Sequence, residues 1–132
     1  MAKPEKSKAV KSTKIKVKYP IVRLCIKANA NNSLITLTDM TGKVIAWSTP
    51  GKVGFKGSKK STPFAAQKAT EEVIEKAKAV DAASIHLQIN GGGMGRDAFL
   101  RAVQASGLQV ETIKDTTGFP FGGPKQTNRR RV

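Results

Sequence analysis

Acidic residues are scarce in this chain: 9 Asp and Glu stand against 24 Lys and Arg in 132 residues, a formal net charge of +15. So much uncompensated charge of one sign favours a polyanionic partner, whether nucleic acid, an anionic membrane surface or an acidic protein. No apolar run reaches bilayer-spanning length, and no predicted helix pairs a basic face with a bulky apolar one, so no membrane partner is expected. Cys25 is the single cysteine, which excludes an internal disulfide framework and agrees with a reducing compartment. The basic N-terminus lacks the apolar core and small-residue cleavage site of a secretory signal; the cytoplasm is the expected location, with an organelle the alternative that a basic leader leaves open. His86 is the single histidine and has no cysteine near it in sequence, so neither a metal set nor a nucleophile–base pair is visible. No metal and no cofactor are expected.

What is present centres on Gly51–Lys68, GKVGFKGSKKSTPFAAQK. Gly51, Gly54 and Gly57 let the backbone turn sharply and approach a partner closely. Lys52, Lys56, Lys59 and Lys60 make that partner negative. Ser61 and Thr62 offer capping oxygens, and Pro63 stands where the first helical residue belongs. A helix N-terminus carries partial positive charge and unpaired N–H groups, so the loop reads as a phosphate clamp.

Along the chain, residues 1–18 hold seven lysines and one Glu, a basic arm too poor in apolar residues to pack. Its end, with Lys14, Lys16 and Lys18 alternating with Ile15 and Val17, suits a strand. The packed domain is expected over residues 19–114. Ile21–Ala28, Leu34–Asp39 and Val44–Thr49 alternate as strands joined by turns, an antiparallel meander with Trp47 as a core or rim anchor. A helix from Pro63 to about Val80 buries Ala66, Ala69, Val73, Ala77 and Val80 at spacings of three and four. Glu71, Glu72 and Glu75 lie elsewhere on it, a face turned from nucleic acid, with Lys68 and Lys76 each four residues from Glu72. Ser84–Asn90 is a fourth strand. A second glycine loop, Gly91–Gly95, leads through Arg96 into a helix to about Ser106 that buries Phe99, Leu100 and Val103. Leu108–Lys114 closes as a fifth strand. The order βββαβαβ predicts one α/β domain with a mixed five-stranded sheet. Residues 115–132 form a basic extended tail holding Phe119, Phe121, Lys125, Arg129, Arg130 and Arg131; the rings suit bases, a protein pocket or their own domain.

No enzyme emerges. Ser58 follows Gly57, which breaks the GxxxxGK[ST] phosphate loop, and Arg96 stands where a dinucleotide fingerprint needs its last glycine. The element order matches the ribonuclease-H-like scaffold, but the first strand holds no acid and Asp39 fits turn chemistry. What remains is two strand–glycine-loop–helix units, with Gly93, Gly95 and Arg96 in the second, plus basic termini. RNA fits better than duplex DNA, because neither helix resembles a recognition helix.

The run GFKGSKKSTPFAAQ (Gly54–Gln67) resembles the family of the universal eleventh protein of the small ribosomal subunit, in its bacterial type. NNSLITLTD (Asn31–Asp39), GGGMGRD (Gly91–Asp97) and the terminal RRRV extend the resemblance from Ile21 to the end. It implies a non-catalytic ribonuclease-H-like scaffold that binds small-subunit rRNA in the platform beside the exit-site messenger path. It implies neighbouring platform proteins and messenger RNA as partners, with no homo-oligomer. Two departures stand out. Gly122-Gly123 replaces an Asn-Gly pair prone to isoaspartate formation, and the second loop lacks the family's proline, which should leave it more flexible when unbound. The rival readings are a general basic RNA- or DNA-binding protein outside the ribosome and a divergent nuclease needing Asp39.

Overall fold

The computed structural model describes residues 18–131, so the expected arm lies outside the described residues except for Lys18, as does Val132. Strands β1 (Ile21–Ala28), β2 (Ser33–Thr38) and β3 (Val44–Ser48) precede the short helix α1 (Pro50–Val53) and a 3-10 turn over Gly57–Ser61. Then come α2 (Pro63–Ala79), β4 (Ser84–Asn90), α3 (Gly95–Ala105) and β5 (Gln109–Asp115). The βββαβαβ order stands, with element ends within one or two residues of expectation. Helix α1 and the 3-10 turn are additions, because Gly54 and Gly57 in the sequence mask two single turns as loop.

The sheet runs β3-β2-β1-β4-β5. β1 pairs antiparallel with β2 and β2 with β3, whereas β1–β4 and β4–β5 are parallel. Both parallel crossovers, through α2 and through α3, step in the same direction across the sheet. Right-handed connections therefore place both helices on one face. One core agrees with this: Val22, Leu24, Ile26, Ile35, Leu37, Ile85, Leu87 and Ile89 meet Ala69, Val73, Ala77, Phe99 and Val103. The alanine stripe of α2 lets the helix lie close on the sheet, and Val80 is buried at its end as the spacing predicts. Leu100 is only partly buried and packs at the core margin.

Among the described residues the opposite sheet face carries no helix. Cys25 lies there, in register with Thr36 and Gln88 on either side, and Trp47 pairs with Thr36 at the β3 edge. Trp47 is 50% exposed, an anchor at the rim and not in the core. Asp39 is explained by its turn: one carboxylate oxygen accepts from the Thr41 amide at 2.9 Å, the Thr41 hydroxyl at 2.6 Å and the Lys43 amide at 2.9 Å. These bonds, the Thr41 hydroxyl foremost, hold the Asp39 carboxyl below its ordinary value.

Three of the four glycines of the second loop, Gly91, Gly93 and Gly95, are packing positions, and Gly92 is open. A Cβ on Gly91 would lie 2.1 Å from the Ala28 carbonyl oxygen, and one on Gly93 2.3 Å from that of Asn29. A Cβ on Gly95 would lie 2.9 Å from that of Ala66, where α3 crosses α2. Gly91 also has φ +92. Gly91→Ala should therefore cost about 2 kcal/mol or more, through backbone overlap and strain together. Gly54→Ala, at φ +112 with nothing within 4 Å, carries only the strain and should cost about 1 kcal/mol. Urea unfolding of the two variants checks this ranking, and equal losses would refute it.

Candidate nucleic-acid interface

The loop between β3 and α2 begins at a cap. The Thr49 hydroxyl accepts from the Lys52 amide at 3.3 Å, Pro50 occupies the first turn of α1, and Gly54 closes it in left-handed backbone. At the far end the Thr62 hydroxyl accepts from the Ala65 amide at 3.4 Å, with Pro63 opening α2, so Thr62 is the predicted cap. Ser61 acts differently, since its hydroxyl donates to the Ser58 carbonyl at 2.8 Å and tightens the 3-10 turn. Phe55 and Phe64 meet edge to face, with ring centres 5.9 Å apart, and tie the start of the turn to α2. Lys68 reaches over the Phe64 ring at 5.6 Å.

One carboxylate fastens this loop to the body. Ser48, fully buried on β3, donates its hydroxyl to Glu72 Oε2 at 2.5 Å. Glu72 Oε1 takes Lys76 Nζ at 2.8 Å and Lys52 Nζ at 3.0 Å. Lys52 also donates to the Trp47 carbonyl at 3.0 Å and lies 5.0 Å from the centre of its ring. Burial would raise the Glu72 carboxyl, but the bonds from Lys76, Ser48 and Lys52 outweigh it and bring it down to about 2. Glu72 therefore does not belong to a face turned from the loop, as the helical spacing alone suggested. Glu71 and Glu75 do lie apart, beside Lys78 and Arg101 in a groove between α2 and α3. Lys68 bonds Glu71 at 2.9 Å, three residues on, and leaves Glu72 to Lys76.

The lysines thus divide. Lys52 is held by Glu72, whereas Lys56, Lys59 and Lys60 make no ion pair among the described residues. Lys56 and Lys59 are exposed and Lys60 is half-buried. Among the described residues nothing lies within 4 Å of a Cβ added at Gly54 or Gly57, so the backbone there is open to a close approach.

The second loop is organised inward. The Gly93 amide donates to the Ala28 carbonyl at 3.1 Å and the Gly91 amide to the Thr117 hydroxyl at 3.1 Å. Arg96 donates to Asp115 at 2.7 Å, which joins the start of α3 to the end of β5. The Thr117 hydroxyl and amide, with Arg96, hold the Asp115 carboxyl at about 2. Gly93, Gly95 and Arg96 thus stand together, but the close approaches made by the two glycines are to this chain's own backbone and side chains. Lys125, Arg129, Arg130 and Arg131 lie in the exposed tail, apart from the loop in sequence. Sequence reasoning missed the Glu72 junction and the Phe55–Phe64 pair, since each joins residues whose proximity depends on how α2 sits on the sheet.

The sequence profile of the ribosomal protein S11 family matches residues 22–131, the loop, the glycine turn and nearly all of the tail together. The chain belongs to this family. It is 40% identical to small ribosomal subunit protein uS11 of Kosmotoga olearia over 132 residues, the whole of both chains. It is 46% identical to small ribosomal subunit protein uS11c of Cyanidium caldarium over 109 residues, 83% of this chain and 84% of that one. Members of the S11 family are structural constituents of the small ribosomal subunit and not enzymes. Burial pushes the Cys25 thiol up, against the pull of Arg23, and disfavours a reactive thiolate.

Replacing Glu72 by Gln should lower stability by about 1–2 kcal/mol at neutral pH, because hydrogen bonds to a partly buried charge are removed. With the folded carboxyl at about 2 and its ordinary value at 4.5, this contribution is complete above the ordinary value and lost as pH falls through about 2. Urea melts of both proteins at neutral pH and near the lower limit should show the gap closing. A gap of constant size would rule out the charged junction.

Proposed function

We propose that this S11-family chain binds small-subunit rRNA through the loop joining β3 to α2, with the arm and tail adding basic contacts. The observation that carries this reading is the exposed lysine group at Lys56 and Lys59, with Lys60 beside it, on open glycine backbone at the start of α2. Cations without acidic neighbours gain most from phosphate, and each phosphate they neutralise releases counterions into solution. Ser61 and Thr62 shape the turn that presents them. Lys52 is braced by Glu72, and Arg96 sets where the tail leaves the sheet. Arg129, Arg130 and Arg131, with Lys125, suit phosphate by forked or point-charge contacts.

In this reading the protein sits in the platform of the small subunit of the cytoplasmic ribosome, beside the exit-site messenger path. It lies against neighbouring platform proteins and supports assembly and the placement of messenger RNA. The domain of residues 19–114 is the folded support, residues 1–18 the basic arm and residues 115–132 the basic tail. Sedimentation of tagged protein through a sucrose gradient should give co-migration with the small subunit that persists in moderate salt. Protein spread over all RNA would instead favour a general basic nucleic-acid binder.

Changing Lys59 and Lys60 together to Glu should weaken rRNA binding sharply. The slope of log affinity against log salt should become shallower by roughly one unit for each phosphate left without its cation. Filter binding over a salt series measures it; an unchanged slope would remove this loop from the interface.

A further inference from the structure

The tail begins at a fixed root. The Thr116 amide continues the β4–β5 ladder by donating to the Ile89 carbonyl at 2.8 Å. The Thr117 hydroxyl and amide donate to Asp115 Oδ1 at 2.6 and 2.9 Å, while Arg96 holds the other carboxylate oxygen at 2.7 Å. The Thr117 oxygen also accepts from the Gly91 amide, so Asp115–Thr117 is bound to β4, to the second loop and to α3. Phe119 follows only two residues later.

Beyond this root the chain presents its most exposed rings. Phe119 is 83% exposed and Phe121 98% exposed, so neither packs on its own domain. Pro120 between them restricts Phe119 to extended backbone. Gly122 and Gly123 then turn in left-handed conformation, at φ +79 and +47, closely enough that a Cβ on Gly123 would lie 2.7 Å from that of Pro120. From Thr116 to the end the sequence holds Lys125, Arg129, Arg130 and Arg131 and no acidic residue.

We propose that Phe119 and Phe121 are a stacking prong for unpaired RNA bases, aimed by the Arg96–Asp115–Thr117 root and held in place by the cations beyond it. This deepens the rRNA-binding reading and rests on it. Aromatic rings take any base on their faces, and the all-basic continuation favours a ligand that offers phosphates beside those bases. An apolar protein pocket would satisfy the rings but not four cations without an acid among them. The fixed root reduces the ordering cost, since Phe119 lies close to a point that is already held.

The test uses the full chain, with in-vitro transcribed small-subunit rRNA and a scrambled RNA as probes. Phe119→Leu and Phe121→Leu keep apolar bulk and remove the ring; Tyr at both positions keeps the ring. Each Leu change should weaken rRNA binding about tenfold with the salt slope unchanged, and Tyr should restore it. Thermal melting should be the same for all variants, because the rings are exposed. Leu variants that bind rRNA like the parent would overturn the prong. If these also failed to enter small subunits, a protein pocket would be the occupant. A parent chain that binds both RNAs equally would overturn the rRNA reading itself.

Discussion

Three parts of the protein converge on one carboxylate. Glu72 takes a hydroxyl from the β3 edge, an ammonium from α1 and another from its own helix. Without it, Ser48 would lose its partner inside the protein and Lys52 would be free to swing from the sheet edge. A charge in this half-buried setting persists because several donors share it, and their bonds together exceed the desolvation that would raise its pKa. Lys56, Lys59 and Lys60, which make no ion pair among the described residues, are held in place indirectly, through a loop whose base this junction clamps. In a chain so rich in cations, placing one of few acids here turns local repulsion into a brace.

The two glycine loops look alike in sequence and differ in physical use. Around Gly54 and Gly57 there is open space, and the glycines serve backbone conformation at the cap of α1 and the entry to the 3-10 turn. At Gly91, Gly93 and Gly95 the missing side chains let α3 and its loop press against β1, the turn after it and α2. Among the described residues the first loop is open at both Gly54 and Gly57, whereas the second is open at Gly92 alone. The second holds the end of β5, and through it the direction in which the tail departs. Hydrogen bonds to the Ala28 carbonyl and the Thr117 hydroxyl tie the Gly93 and Gly91 amides down.

Element order was readable from the alternation of Val22, Leu24 and Ile26, from the three–four spacing on α2, and from Thr62-Pro63 as a helix start. Those patterns depend on local periodicity, which any segment shows by itself. The lysines of the first loop were readable as a group for the same reason. Helix α1 was not, because four residues are too few to display a period. Nor could spacing decide that Glu72 faces the loop and Glu71 the groove, since a helical face has meaning only once its neighbours are in position.

Charge, strand and helix order and family membership thus reside in the linear chain, where composition, periodicity and a long shared motif are complete without folding. Which cations stay unpaired, which glycines are packed, and where the tail leaves the sheet belong to the tertiary structure. Each depends on distances between residues far apart in sequence, such as Ser48 to Glu72 or Arg96 to Asp115. Those distances exist only after α2 and α3 have settled on the same face of the sheet.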